Sequence, residues 1–73
     1  MYYPTDAEVK RIKEMYPINT RICLIYMKDD RFIAPGTEGT VRIVDDMGTI
    51  HVDWDNGRRL GLIPGEDSFE VLE

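Results

Sequence analysis

Apolar residues recur at helical spacing near the start of the chain. A stripe at i, i+3 and i+7 runs through Val9, Ile12 and Tyr16, which is typical of one face of a short amphipathic helix. Thr5 and Glu8 have the spacing of a capping box, in which each side chain hydrogen-bonds the other residue's backbone N–H. Tyr16 is followed by proline, which disfavours helical backbone at the residue before it. The pattern predicts a helix that begins near Thr5 and ends near Tyr16.

Further along the chain, apolar and polar residues alternate with a period of two, which is typical of half-buried strands. Between two alternating runs, Asn56-Gly57 predicts a hairpin with a type I′ turn, because that turn needs positive φ at both central positions. Residues 22–27 are continuously apolar, as in a strand covered on both faces. The segment from Lys28 to Pro35 is largely polar, with Phe32 and Ile33 amid charges, and it ends at the Pro35-Gly36 pair, which predicts a long loop. Another strand is expected near the end of the chain, which makes five.

The alternation divides the apolar residues between two faces of the predicted sheet. The predicted interior comprises Ile22, Leu24, Tyr26, Val41, Ile43, Ile50, Val52, Trp54, Leu60, Leu62, Phe69 and Val71. The same alternation points five other residues outward, namely Cys23, Ile25, Val44, Ile63 and Leu72. We expect the helix to cover these outward positions, and a subunit partner is the alternative cover.

Length and composition indicate one domain over residues 1–73, with the helix at about 5–16 and the sheet at about 20–73. Asp6, Glu8 and Lys10 lie where a secretory signal would be apolar, so we expect a cytoplasmic protein. A single cysteine cannot form an internal disulfide. The net charge of −5 opposes tight binding to nucleic acid, which depends on several Lys or Arg side chains at phosphates. A small core leaves a homo-oligomer open as an alternative.

Several motifs together resemble known small domains. Pro-Gly-Thr-x-Gly-Thr-Val at residues 35–41 and Val-x-Trp-Asp-Asn-Gly at 52–57 resemble the SH3-like mind-bomb type domains of large ubiquitin ligases. With Tyr-Pro at 16–17 and Ile-Pro-Gly-x-Asp-x-Phe at 63–69, almost the whole chain resembles a family of small domains from bacteria, phages and mobile elements. The resemblance implies a mainly β fold, a small five-stranded SH3-like barrel preceded by one short amphipathic N-terminal helix. It implies no activity.

The sequence argues against an enzyme, a metal site or a bound cofactor. Nucleophilic catalysis needs a nucleophile, a base and an orienting group within reach of one another. The chain has one His, one Cys and one Ser, and His51 is expected on the surface of a strand. A zinc site needs about four ligands, of which Cys23 and His51 supply two. Of four aspartates that could bind a divalent cation at the end of the sheet, turn formation accounts for three, namely Asp45, Asp46 and Asp55.

Aromatic side chains at the mouth of a small barrel favour a binding surface. We expect Tyr26, Trp54 and Phe69 to lie in the core. Tyr2, Tyr3 and Phe32 have no clear core assignment. The predicted binding residues are Phe32, Trp54, Asp55, Arg58, Arg59, Tyr2 and Tyr3. An aromatic ring beside a guanidinium suits a protein contact, and it also suits a stacked base with its phosphate.

These observations predict a non-enzymatic binding module that docks on a protein partner. The resemblance further implies an accessory protein of a phage or mobile element, which acts on a host protein such as a component of a defence system. One alternative is a sponge that sequesters a small nucleotide signal. A second alternative is weak nucleic-acid binding by the barrel. No membrane partner is expected, since no apolar run approaches the roughly 20 residues of a membrane span.

Overall fold

The computed structural model describes residues 4–28 and 33–72, which form one helix and five strands. In chain order these are α1 (Asp6–Met15), β1 (Arg21–Tyr26), β2 (Glu38–Val44), β3 (Ile50–Trp54), β4 (Arg59–Leu62) and β5 (Ser68–Val71). All strand pairs are antiparallel, in one sheet of order β4-β3-β2-β1-β5. The predicted mainly β domain, with five strands and a short N-terminal helix, is confirmed. In the described ranges, no helix has the length and apolar character needed to cross a membrane.

Helix α1 begins at the predicted capping box. The Glu8 backbone N–H donates to the Thr5 hydroxyl over 3.2 Å, and the Thr5 N–H donates to the Glu8 carboxylate over 3.0 Å. The first of these bonds satisfies a donor that the first helical turn leaves unpaired, and the second satisfies the N–H of the capping residue. Val9 and Ile12 are buried, so the predicted apolar stripe faces the core.

The hairpin at Asn56-Gly57 has a different turn from the predicted one. The Gly57 N–H donates to the Trp54 carbonyl over 2.9 Å, and the Trp54 N–H donates to the Arg58 carbonyl over 2.8 Å. Gly57 has a φ of 91°, whereas Asn56 is not among the residues with positive φ. The type I′ prediction was wrong, because a longer loop closes the hairpin and only its last residue needs positive φ. The β2–β3 loop has the same pattern of hydrogen bonds, and its Gly48 has a φ of 82°.

Replacing Gly57 by valine is expected to lower the free energy of unfolding by about 1 kcal/mol or more, since β-branched residues tolerate positive φ poorly. The matched variant Gly57→Asn is expected to lose less, because asparagine enters this region more readily. Urea unfolding of both variants and of the wild type measures the difference. A valine variant as stable as the wild type would contradict this turn geometry.

The buried core lies mainly on the inner face of the sheet and extends to one residue of α1. It comprises Ile12, Ile22, Leu24, Met27, Ile33, Val41, Val44, Ile50, Val52, Trp54 and Leu62, with Tyr16, Leu60 and Phe69 packed against it. Most of the predicted interior is therefore confirmed as buried or partly buried.

Three residues of the predicted interior are exposed instead, namely Tyr26, Ile43 and Val71. The register shifts between Leu24 and Tyr26 in the β1–β5 ladder, and between Val41 and Ile43 in the β2–β3 ladder. A β-bulge adds one residue to a strand, which reverses the face of the residues that follow it. Ile43 therefore faces outward and Val44 is buried. Val71 lies at the end of β5, an edge strand of the sheet.

Helix α1 covers less of the sheet than predicted. Among the strands it packs only against β2, and its apolar stripe also contacts the β2–β3 loop. Of the residues predicted to face outward, Val44 is buried, whereas Ile25 and Ile63 are exposed. Cys23 and Leu72 are half-buried. The expected helical cover of Ile25 and Ile63 is wrong, because the helix lies over the end of β2 and not over β1 or β4.

The segment between β1 and β2 contains a core residue that the sequence pattern did not indicate. Ile33 has no exposed surface and lies in the same cluster as Leu24. The Gly36 N–H donates to the Leu24 carbonyl over 2.7 Å, and the Leu24 N–H donates to the Thr37 carbonyl over 2.8 Å. Residues 33–37 are therefore anchored to β1. A short apolar stretch between charged residues and Pro-Gly has no periodicity, so it indicates a loop.

Candidate docking site

Trp54, one of the predicted binding residues, lies in the core. Its side chain is 3% exposed, and its indole N–H donates to the Leu60 carbonyl over 3.1 Å. An indole whose polar atom is bound within the domain offers a partner neither a donor nor a ring face. Tyr2, Tyr3 and Phe32 lie outside the described residues.

Asp55, another predicted binding residue, is held by Arg21 in a bidentate ion pair. The two guanidinium nitrogens donate to its two carboxylate oxygens over 2.9 and 2.7 Å, and they also reach Thr40 at 2.9 Å and Glu38 at 3.1 Å. The hydrogen bonds from Arg21 lower the pKa of Asp55, and those to Asp55 raise the pKa of Arg21. Paired carboxylate and guanidinium groups of this geometry position each other. Asp55 therefore fixes the β3–β4 hairpin to β1.

Sequence reasoning missed Arg21 because the contact is between strands. Arg21 lies opposite Thr40 in the β1–β2 ladder, and Thr40 lies opposite Asp53 in the β2–β3 ladder. Side chains directly opposite each other on one sheet face come within reach. Aligning β1, β2 and β3 in register would have placed Arg21 in one row with Thr40 and Asp53.

Arg58 and Arg59 line a shallow groove of about 270 Å³ together with Gly57 and Leu60. The Arg59 Nε lies 3.1 Å from a carboxylate oxygen of Asp53. The Arg58 backbone N–H donates to the Asn56 side chain over 3.0 Å. No aromatic side chain of the described residues lines this groove. The structure therefore brings the two arginines together, but the Trp54 side chain does not line their groove.

A second, largely apolar groove lies between the C-terminal end of α1 and β2, and we call it the α1–β2 groove. Its volume is about 380 Å³, and it is lined by Lys13, Tyr16, Pro17, Ile18, Ile43 and Val44. Ile18 and Ile43 are 63% and 51% exposed. Exposed apolar side chains that line one groove are typical of surfaces that contact a partner.

The walls of the α1–β2 groove are fixed by the fold. The Asn19 N–H donates to the Val41 carbonyl over 2.8 Å, which holds the Ile18 turn against β2. The ring of Tyr16 meets that of Phe69 edge to face, with 5.2 Å between centroids. The bulge in β2 turns Ile43 outward beside this turn. The groove is thus built on a strand, a hydrogen-bonded turn and a packed aromatic ring.

The charge at the α1–β2 groove is held in an ion pair. Lys13 is its one charged lining residue among those described, and the Lys13 ammonium donates to Asp46 over 2.9 Å. Asp46 does not line the groove, and its side chain is 98% exposed. Exposed ion pairs of this kind are worth little, about 0.2–1 kcal/mol. The groove therefore offers apolar surface with an ammonium group at its edge.

A third groove, of about 430 Å³, has walls that are joined by hydrogen bonds within the domain. It lies between the end of β1, β4 and the β4–β5 turn, and Met27, Leu60 and Ile63 contribute its apolar surface. The two oxygens of Asp67 accept the backbone N–H groups of Lys28 and Ile63, each over 2.9 Å. This carboxylate therefore joins the two walls of the groove.

The remaining polar cluster stabilises the β2–β3 loop. Asp45 accepts the N–H groups of Met47 at 2.9 Å and Thr49 at 3.0 Å, and its other oxygen lies 2.8 Å from His51 Nε2. Partial burial acts to raise the pKa of Asp45, but the bonds from His51 and the two N–H groups outweigh it and lower that pKa. Within residues 4–28 and 33–72, no three His, Cys, Asp or Glu side chains meet as metal ligands would.

Comparison with known proteins gives one match. A family model described as "Domain of unknown function (DUF4314)" covers residues 5–72. Searches of the curated proteins and of the solved structures found no match. The matched segment includes the helix, all five strands and every residue of the α1–β2 groove.

Proposed function

Because the chain belongs to the DUF4314 family, whose description names no activity, we propose a function from the geometry: the domain is a binding module that docks on a protein partner through the α1–β2 groove. The observation that carries this proposal is the pair of exposed isoleucines, Ile18 and Ile43, at one concave surface. Protein contacts are centred on apolar anchors that become desolvated in such pockets.

Burial of this surface would supply useful binding free energy. Fully burying an isoleucine side chain stabilises a complex by about 1.5–3 kcal/mol relative to leaving it exposed. Ile43 is carried by a strand, and Ile18 by a turn that is hydrogen-bonded to that strand. A preformed surface loses little conformational entropy on association, so ordering of the groove does not reduce this gain.

Several expectations from the sequence stay predictions. The resemblance implies the SH3-like assignment, an origin in a phage or mobile element and action on a host protein, whereas the cytoplasmic location was inferred from the residues near the start of the chain. The nucleotide sponge also stays a prediction. It requires a ring beside Arg58 and Arg59, and its remaining candidates, Tyr2, Tyr3 and Phe32, lie outside the described residues.

Substitution in the groove is expected to weaken partner binding. Ile43→Thr keeps a β-branched residue on the strand but removes apolar surface, so it should lower affinity by about tenfold. Ile18→Asp places a charge in the groove and should lower affinity further. The matched control is Ile25→Thr, because Ile25 is 53% exposed on β1 and does not line the groove.

The measurement is affinity purification from the natural host with each variant, followed by titration of the purified partner. A partner that binds the wild type and Ile25→Thr equally, but not the groove variants, supports the proposal. A partner indifferent to both groove substitutions contradicts it. A nucleotide retained by the purified protein in native mass spectrometry would favour the sponge instead.

A further inference from the structure

The charge at the edge of the α1–β2 groove indicates the chemistry of its occupant. We propose that the groove takes a protein segment in which a large apolar side chain is flanked by a carboxylate, and that this carboxylate replaces Asp46 on Lys13. This inference rests on the proposed docking function and specifies the partner. The groove would receive the apolar side chain between Ile18 and Ile43, and Lys13 would receive the charge.

The first argument is that the lining of the groove lacks the carboxylates that dominate the whole chain. The chain carries 14 acidic and nine basic residues, for a net charge of −5. Nevertheless, no carboxylate of the described residues lines the α1–β2 groove, and its one charged lining residue there is Lys13. A basic segment would bring like charge against Lys13, which disfavours that partner. Charge complementarity therefore selects an acidic segment.

The second argument is that Asp46 is a replaceable partner of Lys13. Asp46 lies in the β2–β3 loop with its side chain 98% exposed, and its carboxylate contacts Lys13 at 2.9 Å. Asp55, by contrast, is held by two hydrogen bonds from Arg21. A carboxylate brought to Lys13 beside apolar surface is attracted more strongly to the ammonium group, but it also loses hydration, which costs free energy. Because the exposed pair with Asp46 contributes only about 0.2–1 kcal/mol, giving up that pair costs the complex little.

A second copy of this chain is a poorer occupant than a separate protein. Each copy carries a net charge of −5, and like net charges keep molecules apart in solution. A two-fold dimer through the α1–β2 groove would also place two Lys13 side chains in one interface, where no carboxylate of the described lining residues faces them.

The test begins with a phage-displayed library of random peptides, selected on the wild-type chain. The enriched peptides are expected to combine a large apolar residue with Asp or Glu. The peptide that is most enriched is then synthesised, and its affinity is measured by fluorescence anisotropy. Thermal unfolding confirms that each variant of the chain is folded.

Two charge substitutions have opposite expected effects on that affinity. Lys13→Glu should weaken binding by about tenfold, whereas Asp46→Asn should strengthen it by about two- to fivefold at low salt. Added salt should reduce the gain, because Lys13 and Asp46 are solvent-exposed. The matched controls are Lys28→Glu and Glu66→Gln, since Lys28 and Glu66 form a similar exposed pair at 3.3 Å beside the third groove. Both controls should bind as the wild type does.

The outcomes separate this inference from the proposed function. Basic or uncharged peptides that still depend on Ile18 would overturn the acidic partner and leave the docking function standing. Weaker binding by Asp46→Asn would overturn the exchange at Lys13. Peptides indifferent to Ile18→Asp, or no enrichment at all, would overturn both proposals. Self-association in sedimentation that is abolished by Ile18→Asp would identify a second copy as the occupant and overturn the inference.

Discussion

Ile33→Ala is expected to lower the free energy of unfolding by about 3 kcal/mol, within the range of about 2–5 kcal/mol for truncating a buried isoleucine. Ile33 has no exposed surface and lies in the main core cluster. Removing three of its carbon atoms leaves a cavity that the anchored neighbours, held by the bonds between Leu24 and residues 36–37, cannot readily fill. A domain of this size has a total stability of about 5–15 kcal/mol, so the loss is a large fraction.

Urea unfolding, followed by circular dichroism, measures the effect of this substitution. The matched control is Ile25→Ala, which removes the same atoms from a side chain that is 53% exposed. The control should lose less than about 1 kcal/mol. Equal losses in the two variants would show that Ile33 does not anchor the segment between β1 and β2.

Gly39→Val is expected to destabilise the domain by about 3 kcal/mol, the upper part of the usual cost of overpacking. A Cβ atom at Gly39 would lie 2.6 Å from the Val52 Cγ1 and 2.9 Å from the Trp54 Cε3. Both neighbours are buried, and Gly39 lies opposite Trp54 in the β2–β3 ladder. Neither side chain has room to move away, so the strands themselves would have to separate.

Gly36→Val is the matched control, because nothing lies within 4 Å of a Cβ atom at Gly36. Its φ of 90° still strains a β-branched residue, at a cost of about 1–2 kcal/mol. The Gly39 variant should therefore melt at a lower temperature than the Gly36 variant. The reverse order would indicate that backbone conformation, and not the packing of Trp54, limits this segment.

These two glycines explain why the Pro-Gly-Thr-x-Gly-Thr-Val motif implies a fold but no activity. Gly36 allows the turn that returns the chain to β2, and Gly39 gives Trp54 room to pack. Val41, at the end of that motif, and Trp54, within the motif at 52–57, are both buried. These two motifs thus build the sheet, whereas Tyr16 and Pro17, which also carry the resemblance, line the α1–β2 groove with four residues outside the motifs.

The amino-acid sequence determined the elements, because their signals are local. The capping box sets the start of α1, period-two alternation indicates the strands, and glycine and proline mark the turns. These features placed the helix at about residues 5–16, and the structure has it at Asp6–Met15. They also identified most of the core, including Leu24, Val52 and Trp54.

Only the tertiary structure decided which surface is available to a partner. A bulge shifts strand register by one residue, and no local signal marked the bulge that turns Ile43 outward and buries Val44. The Arg21–Asp55 pair likewise joins residues 34 positions apart in the chain. Such contacts depend on how strands align with one another. Side-chain direction reverses with each residue of register. The sequence alone therefore did not show which side chains meet at the candidate site.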